Sequence, residues 1–221
     1  LHEVNPKLIS CSLSGFGQKG SMVNRKAYDL LIQAETGLAS ITGGVEDAAR
    51  VGISIVDIAT GSTAYSACLE ALIQRGISGK GTRIEVSLFD VMAEWLTVPL
   101  LNHEAGNTPK RMGLAHPSIA PYGVFKTKVG PDILIAVQSE REWFNFCKVI
   151  LRDTSIAGNI KYSSNIARVS NRAHTDKLVT NFLAELTTEE AIEKLQLADI
   201  AFALLNDMEG LSTHPCLRRI K

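Results

Sequence analysis

Asp57 is the side chain in this sequence best placed to do chemistry. It follows Ile53-Ser54-Ile55-Val56 and precedes Ile58-Ala59-Thr60-Gly61-Ser62, a β-branched run giving way to a helical one. A carboxylate at such a junction feels the positive end of the helix dipole. The small residues at 59 to 62 let a bulky ligand come close to the backbone. Two readings stand at this point, an ordinary N-cap aspartate and a carboxylate facing a ligand.

Other patterns point to chemistries that their surroundings exclude. Gly15-x-Gly17-x-x-Gly20 follows a strand, as a dinucleotide fingerprint should. However, Ser21 to Lys26 lacks helical periodicity, and Glu35 falls inside a helix rather than at the end of a second strand. A glycine-rich turn, letting the backbone approach another segment or a ligand, accounts for it. Gly79-Lys80-Gly81-Thr82 lacks the Gly-Lys-Ser/Thr order of a phosphate loop and reads as a turn. The five histidines form no HExxH pair, and no His/Cys/carboxylate cluster has ligand spacing, so no metal is expected. Ser12 and Ser14 stand outside any Gly-x-Ser-x-Gly elbow, against a serine hydrolase.

The elements that must hold these residues alternate between strand and helix. A strand near Leu8 to Ser14 precedes a helix from Ala27 to Ser40, stopped by Thr42-Gly43-Gly44. Val51 to Val56 reads as a short strand. Asp57 then opens a helix reaching Arg75, with Ile58, Leu69, Leu72 and Ile73 as its apolar marks, and Arg83 to Leu88 and Phe89 to Leu101 give a further strand and helix. Such alternation predicts an α/β layer. Residues 102 to 123, rich in Asn, Gly and Pro, read as a linker or functional loop. Beyond it, Val124 to Lys128 and Ile133 to Val137 predict a hairpin, followed by helices over Glu140 to Ile150 and Thr175 to Leu186. Thr187-Thr188-Glu189-Glu190 has the spacing of a capping box. Ala201 to Leu205 is a short strand candidate, and Asn206-Asp207 caps a last helical turn.

Composition narrows the function class. Lys plus Arg and Asp plus Glu both number 23 among 221 residues, so no basic surplus favours nucleic acid. The longest apolar runs fall far short of the roughly 20 residues of a membrane-spanning helix. Four dispersed cysteines suit a reducing compartment better than a disulfide framework. The opening Leu-His-Glu-Val-Asn-Pro has neither an initiator Met nor a signal-peptide layout, and the chain reads as the middle of a longer protein.

Taken together, several blocks resemble the class III CoA-transferase family, named after carnitine and bile-acid CoA-transferases and including formyl-CoA transferase-like enzymes. They are Asn5-Pro6-Lys7-Leu8-Ile9, Ser14-Gly15-Phe16-Gly17-Gln18-x-Gly20, Ala27-Tyr28-Asp29-Leu30-Leu31-x-Gln33-Ala34 and Gly37-Leu38. In order there follow Val56-Asp57-x-x-x-Gly61, Gly79-Lys80-Gly81, Glu85-Val86-Ser87-Leu88-Phe89-Asp90, His116-Pro117-Ser118-Ile119-Ala120-Pro121-Tyr122-Gly123 and Asn171-Arg172. The resemblance implies CoA transfer between an acyl-CoA and a carboxylic acid through an aspartyl anhydride and an aspartyl-CoA thioester. It makes Asp57 the nucleophile and places Lys26, Tyr28 and Asp29 in the segment that contacts CoA, with Lys26 either pairing with a phosphate or simply solvated. Coenzyme A is then a substrate, and no cofactor is bound permanently. The family also contains 2-methylacyl-CoA racemases, whose catalytic His falls where Tyr28 stands, and a phenol is a poor proton shuttle at neutral pH.

The glycine run that covers the nucleophile in some transferases is here Met112-Gly113-Leu114-Ala115-His116. Gly113 is the candidate hinge, while His116 either contacts substrate or caps the turn after it. Arg111, Arg141 and Arg168 are candidates for the second carboxylate of a dicarboxylate, with exposed arginine as the default. The implied architecture is part of a Rossmann-like CoA domain over residues 1 to 101, a linker over 102 to 123, and a small α+β domain with a return segment over 124 to 221. The family's N-terminal part is absent, leaving room for an N-terminal companion segment, and an interlocked homodimer is expected. The expected compartment is cytoplasmic, or the mitochondrial matrix or peroxisome in a eukaryote. The rival reading is a non-catalytic fragment that keeps only dimer contacts.

Overall fold

The computed structural model describes residues 1–218 as two compact units, Leu1–Gly113 and a second beginning at Leu114. The first unit holds β1 (Ser10–Ser14), α1 (Asp29–Glu35), α2 (Leu38–Ile41), α3 (Ile55–Ser78), β2 (Arg83–Ser87), α4 (Leu88–Trp95) and α5 (Thr97–Glu104). β1 and β2 run parallel, with Ser10 opposite Arg83 and Ser14 opposite Ser87. Parallel neighbours need a long crossover, and the segment through α1, α2 and α3 supplies it. Ile32, Val56, Ala59, Val86, Val91 and Met92 form the buried core beneath.

The glycine-rich turn after β1 is built for close approach. A Cβ at Gly15 would collide with that of Ala27, while the Gly15 carbonyl accepts from the Phe89 N–H at 3.0 Å. Gly81 is equally constrained. Its N–H reaches the Pro6 carbonyl at 2.8 Å, and a Cβ there would fall on the Leu8 carbonyl. Both glycine motifs are thus turns that let backbones meet.

Several sequence expectations need correction. Residues 51 to 54 form no strand, because α3 already begins at Ile55. The bulky marks expected to bury α3, namely Ile58, Leu69, Leu72 and Ile73, are exposed, and its core-facing stripe is Val56, Ala59, Thr60 and Ala71. Small residues at helical spacing let the helix lie close to its neighbours, so the larger side chains point the other way. The helix expected over 27 to 40 divides at Gly37, whose φ of 85° is left-handed. That over 89 to 101 divides at Leu96, where Pro99 lies in the first turn of α5, the stretch of a helix that tolerates proline.

The second unit contains β3 (Tyr122–Phe125), β4 (Ile133–Ala136), α6 (Glu140–Asn145), a π-helical turn Phe146–Leu151, α7 (Ser155–Gly158), α8 (Asn165–Ser170), α9 (Arg172–Leu183), α10 (Thr188–Leu197), β5 (Ala201–Leu204) and α11 (Met208–Ser212). The hairpin β3–β4 is antiparallel, and β5 adds to β4 with Ile133 opposite Leu204. The Thr187–Glu190 capping box opens α10, and the Asp207 side chain caps α11. The helix expected over 140 to 150 changes to π form at Phe146, which turns Phe146, Cys147 and Ile150 together into the core. Burial pushes the Cys147 thiol up to about 12. Since the thiolate is the nucleophile, a maleimide at pH 8 is expected to label exposed Cys216 and spare Cys147 in the native protein. Peptide mapping after brief labelling checks this, and native modification of Cys147 would contradict the burial.

Candidate active site

The site is built around the first turn of α3. Helix starts leave N–H groups without intrahelical partners, and here those of Ile55, Val56 and Asp57 have acceptors. Ile55 N–H donates to the Ile53 carbonyl at 2.8 Å. Val56 and Asp57 N–H donate to one carboxylate oxygen of Asp29, Oδ2, at 2.8 and 3.2 Å. Ser54 occupies the N-cap position but makes no side-chain cap. The cap therefore comes from another helix, since Asp29 is the first residue of α1. Asp57 lies one turn further in than an N-cap, which removes the plain capping reading of its side chain.

The other half of Asp29 is held as firmly. Gln33, one turn along α1 and fully buried, donates from Nε2 to Asp29 Oδ1 at 2.5 Å. Its Oε1 accepts from the Val51 N–H at 2.9 Å. One helix thus grips the segment before α3 at residue 51 and again at residues 56 and 57. The Asp57 side chain projects from this pinned backbone into solvent, with no hydrogen-bond or ion-pair partner among the described residues. A carboxylate whose oxygens are not spent on neighbours keeps its lone pairs for an incoming electrophile.

Of the other candidates, Lys26 is exposed and Tyr28 is 68% exposed at the N-cap of α1. Asp29, read from sequence as part of a CoA-contacting segment, spends its carboxylate on α3 and Gln33. Gly113 adopts φ 60° and donates its N–H to the Gly43 carbonyl at 2.9 Å. Arg111 stands beside it on the same loop. Its guanidinium donates to the carbonyls of Ser40, Gly44 and Val45 at 3.1, 3.0 and 3.3 Å, so it pins this loop to the α2 end of the same unit.

His116 belongs to the second unit. Its ring stacks on Tyr122 at 5.1 Å, and its Nδ1 accepts the Ser118 N–H at 3.2 Å, so its observed local role is to cap the Pro117 turn. Three side chains from α8 and α9 hold that loop. Asn165 accepts from Ala120 N–H and donates to the Ser118 carbonyl. Arg168 donates to the Ala120 carbonyl at 2.7 Å, and Arg172 reaches the His116 and Ile119 carbonyls at 2.6 Å each. Arg168 is fully buried, against the default of an exposed arginine, and pairs with Glu140 over the Trp143 ring. Arg141 is the exposed member of the three candidate arginines.

Among the described residues no group of three or more His, Cys, Asp or Glu side chains could hold a metal ion, and no helix is long and apolar enough to cross a membrane. Gln33 escaped the sequence reading. Its signal was a polar pair, Asp29 and Gln33, spaced one turn apart on one helix.

Residues 1–220 match the sequence model of CoA-transferase family III. The chain belongs to that family. It is 33% identical over 217 residues to the succinyl-CoA:glutarate CoA-transferase of Homo sapiens, covering 97% of this chain and 49% of that protein. It is 29% identical to the acetyl-CoA:oxalate CoA-transferase of Acetobacter aceti, covering 97% and 56%. A solved CAIB/BAIF family protein from Brucella suis superposes with a TM-score of 0.79 at 31% identity, over 97% of this chain and 57% of that one. The chain thus spans about half the length of the family members it matches. The α/β fold expected from the alternating elements is that of the family.

Proposed function

We propose that this chain carries the nucleophile of an enzyme that transfers CoA between an acyl-CoA and a carboxylic acid, with Asp57 as that nucleophile. The supporting observation is the unpartnered carboxylate on a backbone pinned by Asp29. An Asp57 oxygen attacks the thioester carbonyl carbon, the C–S bond breaks, and CoA leaves as the thiolate with a mixed anhydride on Asp57. The thiolate then attacks the Asp57 carbonyl and expels the first acid, leaving an Asp57–CoA thioester. The acceptor carboxylate attacks that thioester and regenerates thiolate and a new anhydride. Attack of the thiolate on the acceptor's acyl carbon frees Asp57 and forms the new acyl-CoA. Each step exchanges one acyl oxygen or sulfur bond for another, which splits a hard exchange into easier ones. Holding thioester and carboxylate together raises their effective concentration.

In this reading Lys26 pairs as a point charge with a CoA phosphate, Tyr28 lines the CoA path, Gly113 hinges the loop over the site, and His116 meets the substrate in a homodimer. The substrate class follows from the relatives, whose names pair succinyl-CoA with glutarate and acetyl-CoA with oxalate. The acids proposed are therefore dicarboxylates. Tyr28, in place of a His, speaks for transfer and against racemisation. The test is to incubate the full-length protein with succinyl-CoA and hydroxylamine and map the modified residue by mass spectrometry. A hydroxamate on Asp57 is expected, and one placed on another carboxylate would overturn the assignment.

A further inference from the structure

Resting on that reading of Asp57, we infer that Asp29 and Gln33 are positioning residues for the nucleophile, acting through the backbone of α3 and not through CoA. All three leading N–H groups of α3 have acceptors outside the helix: the Ile53 carbonyl for Ile55, and Asp29 Oδ2 for Val56 and Asp57. This arrangement has two consequences. The nucleophile's own amide is tied down, so its Cα has a fixed place relative to the buried Val56 and Thr60. In addition, the Val56 and Asp57 amides are taken by Asp29 and so are closed to the Asp57 carboxylate, which has no partner among the described residues.

Gln33 completes the device. It is a fully buried amide whose oxygen and nitrogen each have a partner, Val51 N–H and Asp29 Oδ1. A satisfied buried network holds one geometry, because any rearrangement strands a polar group away from water. Asp29 and Gln33 lie one turn apart on α1, so a single short helix sets both ends of the seven-residue stretch that delivers Asp57. Nothing in this scheme requires Asp29 to touch substrate.

The experiment uses the full-length protein with succinyl-CoA and glutarate, and reads kcat and KM beside hydrogen exchange at the Val56 and Asp57 amides. Asp29→Ala is expected to lower kcat by about 10- to 100-fold, the scale of a nucleophile displaced by about 1 Å. The KM for succinyl-CoA should stay within about threefold, and both amides should exchange faster. Asp29→Asn keeps an acceptor for the Val56 and Asp57 amides but sets its own NH2 against the Gln33 Nε2 donor, so it should slow amide exchange relative to Ala while recovering only part of the lost kcat. A kcat within about twofold of wild type in Asp29→Ala, or a loss confined to KM, would each overturn the inference. Gln33→Met fills the same space without the hydrogen bonds. It carries the same readouts, expected in the same direction, should Asp29→Ala fail to fold. Retained turnover in Asp57→Ala would sink the nucleophile reading alone. The amide exchange then still decides the clamp, which stands if Asp29→Ala accelerates it and falls if it does not.

Discussion

Asp57→Ala is expected to lower CoA transfer by about 10⁴-fold, roughly 5 kcal/mol of transition-state stabilisation, while leaving the folded protein intact. The size follows from the role. In the proposed mechanism the anhydride forms on this carboxylate, and without it the donor thioester must be attacked directly by the acceptor acid. The small effect on the fold follows from the structure. The Asp57 side chain is exposed and has no partner among the described residues, so its removal belongs with surface substitutions, which stay within about 0.5 kcal/mol. Asp57→Asn should be as inactive as the alanine variant, since a carboxamide of the same shape is not a nucleophile. Initial rates with succinyl-CoA and glutarate, together with a thermal unfolding curve, check both halves. Wild-type turnover in either variant refutes the mechanism, and a cooperative transition lost from both would show that Asp57 is needed for the fold.

Arg168→Ala is expected to cost about 2–4 kcal/mol of stability, from the buried carbonyls left without this donor and the cavity opened beside Trp143. Arg168 is 0% exposed and donates to the Ala120 and Tyr162 carbonyls and to Glu140 Oε2 at 2.7, 3.0 and 2.6 Å. Its guanidinium also stacks 5.0 Å from the centre of the Trp143 ring. Alanine leaves those carbonyls without this donor and opens a cavity beside Trp143. Lysine should not rescue it, because an ammonium on a flexible stem cannot reproduce the planar fork. Partial burial acts to raise the Glu140 carboxyl, but the hydrogen bonds from Arg168 and Asn165 N–H outweigh it and hold the group below the usual carboxylate range. A carboxylate depressed in the folded state stabilises it above the unfolded value near 4.5. That contribution is lost as the pH falls through the folded value. Wild-type stability should therefore decline on acidification through this window, with a shallower decline in Arg168→Ala. Urea unfolding of both proteins between pH 3 and 7 measures this, and equal stability at pH 7 would refute the role given to Arg168.

Much of the architecture could be read in one dimension because its causes are local. The strands near residues 10 and 83, the 122–136 hairpin, the Thr187–Glu190 capping box and the Asp207 cap each follow from neighbours within a few positions. Asp57 stands out in the sequence for a different reason, since the residues around it resemble the family's as a string. The sequence alone also marked both glycine clusters as turns, though not what they approach. Gly15 faces Ala27 and Gly81 faces Leu8 across the fold.

Long-range polar contacts were decided by the tertiary structure alone. Asp29 and Asp57 are 28 residues apart, and no periodicity announces that the carboxylate of one caps the helix of the other. Arg168 reads in the sequence as an exposed charge, because arginine is seldom buried without partners. Its partners, Ala120 and Glu140, lie 48 and 28 residues away. The face of α3 was misjudged on the same ground. Hydrophobicity marks which side chains avoid water, but the helix turns its small residues to its neighbours, and closeness of packing is a property of the assembled elements. A carboxylate's chemistry is written in its residue type, whereas its freedom to react depends on which distant groups have already taken the donors around it.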